Sequence, residues 1–436
     1  APNSRLNLAA IGTGSRSNQV NVQHFAAFED VRFVACADPN AQARYTFVEK
    51  VNGIYGGKVC KPYIDYRDVL AREDIDAVVV CTPDYWHVSM AAAAIRAGKD
   101  IYCEKPLSLS LEWTRRLRKV MKGTDRIFQF GTQQRSYDTF QRAVNLVRNG
   151  YIGEVKRVDC WCPEAQSRYA NNPEMPFGST REIPVPEWLD YDLWSGPAPL
   201  NPYREDIIDN WYHVYDYGLG FISNWGVHPL DIAQWGLDMD HSGPVHYEGI
   251  GTMIPPVGVF NTVENWDMHL TYANGVKLRF MSQELAEPVV RRYHYVFRNH
   301  GTVFHGTEGW VGVDRMGYYS HDRNVLRKVE FKSSDKLVGH RHEAGMGETE
   351  QRRFSSDAAH QRNFADCVRS RKQPISPFES AVRSDTLVVL SDICLRAKAP
   401  LEWDPKQEEI VNPTKEMTKY LKREMREPYG LSPMAG

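Results

Sequence analysis

Two stretches of this chain carry residue types whose spacing could do chemistry. The first is Gly12-x-Gly14-x-x-Ser17 in "AAIGTGSRS", directly after a short apolar run. Glycines there allow a tight turn and let a pyrophosphate approach backbone N–H groups at a helix N-terminus. Ser17 is small enough for that helix to lie close on a sheet. Gly12, Gly14, Ser15 and Arg16 are therefore candidate cofactor contacts. A glycine-rich turn alone is weak evidence, but Asp38 ends the next apolar run, roughly the ~20 residues downstream expected of an acid that binds an adenosine ribose. A carboxylate there repels a 2′-phosphate and points to NAD. Arg16 argues the other way if its guanidinium reaches such a phosphate, and is otherwise a solvated helix charge. The second stretch is "GKDIYCEKPLSLS". If Asp100 to Cys103 is a buried strand, Glu104 and Lys105 stand where it leaves the sheet, held against Pro106. In an open α/β fold that edge is where ligands bind. On these residues alone an ordinary surface pair is the alternative.

The elements that must position these groups alternate over the first 150 residues. Apolar runs at Leu6–Ile11, "VRFVACAD", "IDAVVVCTP", "DIYCEKP" and "RIFQFG" are separated by helical stretches, among them Asn18 to Phe28, Ala41 to Val51 and "VSMAAAAIRAG". Near-continuous apolar strands between helices mean a parallel sheet covered on both faces. After Gly150 the texture changes. "GEVKRVDCWC" alternates like a strand. Pro163 to Pro202 is rich in Pro, Asn and aromatics, too long for a plain connector, and reads as a functional loop region. "GFISNWGVHPLDIAQWGL" reads as one helix, and Val245 to about Glu330 as strands and turns with a hairpin at Asn274-Gly275. Two late helices, "AAHQRNFADCVRSRK" and "AVRSDTLVVLSDICLRA", precede a charged tail. The boundaries are 1–150 for a nucleotide-binding domain and 151–436 for a second domain.

Composition excludes several classes. With 436 residues, 42% hydrophobic, 25% charged and a net charge of −2, the chain suits two ordinary globular domains and has no general pull toward nucleic acid. No stretch approaches the ~20 apolar residues of a membrane helix. The eight cysteines are scattered, and no CxxC or Cys/His cluster predicts a metal site.

"AAIGTGSRS", "ACADPN", "VVVCTPDYWH", "GKDIYCEKPLSLS" and "FGTQQRS" resemble the nucleotide-binding half of the Gfo/Idh/MocA family of oxidoreductases. "GFISNWGVHPLDIAQW" and "NFADCVRSRKQP" resemble its later helices. The resemblance implies an α/β protein: a doubly wound Rossmann domain, then an α/β domain on a large open, mainly antiparallel sheet used for homo-oligomer contacts. It also implies that Lys105 of "EKP" lies beside nicotinamide and the reacting hydroxyl, with Glu104 as an orienter or structural partner. Thr82, Pro83, His87 and Gln133 are expected to line the cofactor. His228 is the second catalytic candidate, since a neutral imidazole can accept a hydroxyl proton. Where the family commonly carries Asp-x-x-x-His, this chain has Asn224-x-x-x-His228, so Asp231, three residues on, is a candidate electrostatic substitute.

Six of the chain's 11 tryptophans, Trp161, Trp188, Trp194, Trp211, Trp225 and Trp235, fall in one segment. Core packing explains each singly; together they suit a pocket that stacks on sugar rings. Arg168, Tyr212 and His213, with Asn224, are possible substrate contacts. The expected activity is NAD-dependent oxidation of a secondary hydroxyl of a sugar, glycoside or polyol. A redox-neutral elimination through transient oxidation is the alternative enzyme, and a non-catalytic sugar- or nucleotide-sensing protein the alternative class. The start "APNSRLN", without Met, suggests an exported or periplasmic protein, with the cytoplasm as the alternative.

Overall fold

The computed structural model describes residues 5–165, 175–204, 207–322, 330–339 and 357–431. The alternating first part folds as the apolar runs predict. β1 (Leu6–Ile11), β2 (Val31–Ala37), β3 (Lys61–Tyr63), β4 (Ala77–Val80), β5 (Asp100–Cys103) and β6 (Phe128–Phe130) form one parallel sheet in the order β3-β2-β1-β4-β5-β6. β4 and β5 are buried at every position, which is what a sheet covered on both faces demands of its side chains. The helices begin on local caps. Asn40 accepts from the Ala43 N–H at 3.1 Å and Ser110 from the Trp113 N–H at 3.2 Å, satisfying donors that the first turn leaves free. The order reverses between β1 and β4, so a crevice opens at their C-terminal ends.

The second sheet is built from β7 (Val155–Cys162), β8 (Pro244–Met253), β9 (Val263–Tyr272), β10 (Lys277–Ser282), β11 (Gly301–Gly306), β12 (Gly309–Asp314), β13 (Gly317–Ser320), β14 (Leu401–Asp404) and β15 (Glu409–Val411). Its nine strands run β13-β12-β11-β7-β10-β9-β8-β14-β15. All named pairs are antiparallel except β7 with β10. The hairpin at Asn274-Gly275 forms as expected, with Gly275 at φ 87°, a conformation that favours glycine.

Two differences from the sequence reading matter. The helix expected across 220–237 is broken into Phe221–Asn224 and Val227–Gly236. A Cβ at Gly226 would lie 2.0 Å from the Ile222 carbonyl, so only glycine allows the break. The helix Asp357–Ser370 returns to the first sheet, where Phe364 packs edge-on against Phe25 and Tyr102 at 6.2 and 5.8 Å. The nucleotide-binding half is therefore completed by residues from the far end of the chain.

Candidate active site

The crevice between the sheets is a cavity of about 790 Å³. Its first wall is the loop after β1. Gly12 adopts φ 85°, and a Cβ there would sit 2.5 Å from the Cys81 carbonyl oxygen, because the loops after β1 and β4 touch. At Gly14 nothing lies within 4 Å of an added Cβ, so that side of the loop is open for a phosphate to approach. Ser15 and Arg16 continue this wall. At the end of β2, Asp38 is buried; Oδ2 accepts the Thr13 N–H at 2.6 Å and Oδ1 the Asn40 N–H at 2.8 Å. Burial raises its pKa, against those bonds.

Arg16 is committed elsewhere. Its Nε donates to Glu104 Oε1 at 2.9 Å and its Nη1 to Asp357 Oδ2 at 3.1 Å. Burial opposes its charge, but the two carboxylates outweigh that cost and raise its pKa. Glu104 thus anchors Arg16. Two buried oxygens on this wall, Thr82 Oγ1 and Gln133 Oε1, have no hydrogen-bond partner. Buried orphans of this kind call for a partner, and with the open Gly14 and the Asp38 carboxylate they fit a bound dinucleotide. Pro83 lines the same wall.

At the centre, chemistry-bearing side chains from both domains meet. Lys105 leaves the end of β5, and its Nζ donates to the Asn224 carbonyl oxygen at 2.7 Å and to Asn224 Oδ1 at 3.3 Å. The helix Phe378–Ala397 steadies this loop, since Asp385 Oδ1 accepts the Leu107 N–H at 2.9 Å. Burial lowers the Lys105 pKa, while Asp84 and Glu104 pull it back up. His228 is buried with Nδ1 unpartnered. Burial, then the charges of Arg315 and Lys105, push its pKa well below the ordinary value. At neutral pH it is therefore an uncharged acceptor beside an amine.

Other candidates lie elsewhere. Asp231 does not face His228. Its carboxylate accepts from Arg135 at 2.8 and 2.7 Å and from the Ser384 hydroxyl at 2.7 Å, fully buried, so it ties elements together and is no base. His87 sits behind the wall, its Nδ1 against the Pro106 carbonyl and its Nε2 3.0 Å from the Thr82 carbonyl. It braces two cofactor-side loops. His213 is packed among Tyr212, Phe221 and Phe260, outside the cavity lining, whereas Tyr212 lines it. Arg168 lies outside the described residues. Of the six tryptophans, Trp194, Trp211 and Trp225 line the cavity. Trp161 instead stacks on Phe297, and Trp235 lies under Arg135.

Asp84, Trp86 and Arg315 are among the lining residues that escape the sequence reading. Burial pushes the Asp84 carboxyl up to about 8, against the pull of Lys105. Asp84 follows Thr82 and Pro83 directly, so position alone could have marked it. Trp86 donates from Nε1 to the Trp194 carbonyl at 3.2 Å, fastening the long connector to the first domain. That connector also bonds the loop after β2, through Ala41 N–H to the Trp188 carbonyl at 2.8 Å and Asp190 N–H to the Pro39 carbonyl at 3.2 Å. Arg426 and Tyr429 from the tail hold Asp192 from outside, each at 2.6 Å.

Comparisons with known proteins agree with this architecture. Residues 6–132 match the model of an oxidoreductase family, NAD-binding Rossmann fold, and residues 178–311 and 345–431 match its C-terminal alpha/beta domain. The chain is 36% identical over 148 residues to the inositol 2-dehydrogenase of Rhizobium meliloti (strain 1021), covering 34% of this chain and 42% of that protein. It is 31% identical over 265 residues to the uncharacterized oxidoreductase YrbE of Bacillus subtilis (strain 168), 61% of this chain and 63% of that one. The chain thus spans about two fifths of the inositol dehydrogenases matched first. A solved myo-inositol 2-dehydrogenase from Lactobacillus plantarum superposes with TM-score 0.61 at 17% identity, over 91% of this chain and 99% of that one.

Proposed function

The chain belongs to the Gfo/Idh/MocA oxidoreductase family, and from that premise we propose that it oxidises a secondary hydroxyl of a sugar, glycoside or polyol using NAD. One observation carries the reading: Lys105 and His228, from different domains, meet on one cavity whose other end is the Gly12–Gly14 loop and Asp38. Gly12, Gly14 and Ser15 would hold the pyrophosphate and Asp38 the adenosine ribose, with Thr82, Pro83 and Gln133 along the nicotinamide side. Bound NAD would supply the hydride acceptor. The protein's own part is the proton. Lys105 Nζ donates to the substrate hydroxyl oxygen and makes its proton more acidic, and neutral His228 accepts that proton. Asn224 fixes Lys105 between the domains. The preference for NAD over NADP rests on Asp38 and on Arg16 being held by Glu104 and Asp357.

A redox-neutral elimination is the second reading. The connector bonded over the loop after β2, and clamped by Arg426 and Tyr429, favours a nucleotide retained between turnovers. We extend the reading to a homo-oligomer through the second sheet. Among the described residues no helix is long and apolar enough to cross a membrane.

The test is incubation of the purified protein with NAD and a panel of sugars, inositols and aryl glycosides. Net formation of reduced nicotinamide supports the dehydrogenase. Release of the aryl group without it supports the elimination, and saturable binding with neither product refutes both.

A further inference from the structure

The turn between β12 and β13 sends Arg315 into the cavity from a part of the chain remote from every other catalytic candidate. Asp314 Oδ1 accepts the N–H groups of Met316 at 2.7 Å and Gly317 at 3.1 Å, which fixes the turn and hence the direction in which Arg315 leaves it. The guanidinium carbon lies 5.1 Å from the centre of the Trp225 ring. The same ring packs against His228 at 6.0 Å, so arginine and imidazole flank one tryptophan. Arg315 Nε is buried with no hydrogen-bond partner, and neighbouring Asp314 faces Arg298 at 3.5 Å instead.

Asp84, buried in the same lining with Oδ2 unpartnered, interacts with Lys105. Arg16 is held by Glu104 and Asp357, and Lys105 donates to Asn224. Asp38 is bonded to Thr13 and Asn40 at the opposite end. Asp209 stands exposed at the rim. Among the described residues no carboxylate lies within ion-pair distance of Arg315; Asp357, bonded to Arg16 and Tyr137, feels its charge from further off, and the buried Nε keeps an unused N–H in a partly desolvated site. A planar guanidinium matches carboxylate and phosphate in two parallel hydrogen bonds.

We propose that Arg315 binds an anionic group of the substrate, carboxylate or phosphate, so that the enzyme selects acidic sugars over their neutral counterparts. This rests on the hydride-transfer reading for the identity of the site, and adds the substrate's charge. Trp225 supports the fork from one side and leaves its other side to the ligand.

The experiment compares kcat/KM of the NAD-bound protein for glucose, glucuronate and glucose 6-phosphate, and for the galactose and mannose sets. Within at least one set an anionic member is expected to exceed its neutral counterpart by about 10- to 100-fold, the usual worth of a charge-assisted pair. The uronate and phosphate arms show which anion is meant. Arg315→Gln should collapse that ratio and Arg315→Lys retain part of it. The ratio is internal to each variant, so a general loss of turnover does not move it. A ratio unchanged in Arg315→Gln, or a wild-type protein indifferent to charge, overturns the proposal. If no sugar reduces the cofactor, the hydride-transfer reading fails instead, and calorimetric binding of the same sets still decides Arg315.

Discussion

Replacing Asn224 by aspartate tests the centre of the site most directly. Asn224 Oδ1 lies 3.3 Å from Lys105 Nζ, so Asn224→Asp puts a carboxylate oxygen at that spot with little change of shape. At an effective dielectric of ~20, unit charges ~4 Å apart attract by about 4 kcal/mol, which corresponds to roughly three pH units on the lysine. Burying the new carboxylate offsets part of this, and a net rise of about one to two units is expected. The side of the profile that moves follows from the roles. If the ammonium of Lys105 must donate to the substrate, its deprotonation gives the alkaline limb of kcat/KM, and a raised pKa carries that limb to higher pH. His228 must be neutral, so its protonation gives the acidic limb, and the added charge moves that limb upward too. The larger move belongs to Lys105, because it is bonded to the substituted side chain and no bond between Asn224 and His228 is present. The assay is the pH dependence of cofactor reduction for both proteins at one ionic strength. An alkaline limb that stays put or falls, with only the acidic limb rising, would refute the assignment of Lys105 as donor.

Lys105→Ala should cut turnover by ~10²–10⁴-fold, the usual weight of an acid–base group, while NAD affinity measured by calorimetry stays within a few-fold. Asp231→Asn should behave in the opposite sense. It leaves buried Arg135 with Asp240 as its remaining carboxylate and lowers stability by about 1–3 kcal/mol, read as a drop in denaturation midpoint, with the pH–rate profile unmoved; a displaced acidic limb would restore Asp231 as a partner of His228. Titration of nucleotide-free protein should show NAD binding more tightly than NADP, and Asp38→Ala should erase the difference. Tighter NADP binding by the unmodified protein would mean that Arg16 leaves its two carboxylates for the 2′-phosphate.

The parts of the site that are legible in the sequence are those whose signal is local. Gly12, Gly14 and Asp38 are marked by strand ends and short spacings, and Lys105 by the charged pair that terminates an apolar strand. Asp84 and Arg315 were missed for different reasons. Asp84 looks like any acid at a helix start, and its character comes from burial beside Lys105. Arg315 reaches the cavity only because β12 and β13 are placed by a sheet order that no local pattern encodes. His87, His213 and Asp231 show the converse, since a titratable residue near a motif looks functional until its packing is known. The break at Gly226 is hidden because apolar residues stand on both sides of it, Phe221 and Ile222 before and Val227 and Leu230 after. The described part of the aromatic-rich segment from Pro163 to Pro202 bonds both the first domain and the tail, contacts that its composition does not encode.

The helix that completes the first sheet has a consequence for how the chain is made. All six strands of that sheet have been synthesised by Phe130, but the helix that covers Phe25 and Tyr102 begins at Asp357, on the order of 200 residues later. At roughly 5–20 residues per second, the ribosome needs ~10–40 s to deliver it. Throughout that interval the nascent first domain carries a bare aromatic patch, and Arg16 has Glu104 but not yet Asp357. A growing chain in this state is a client for chaperones, and translation stalled before Asp357 leaves a domain that has its strands but not its cover.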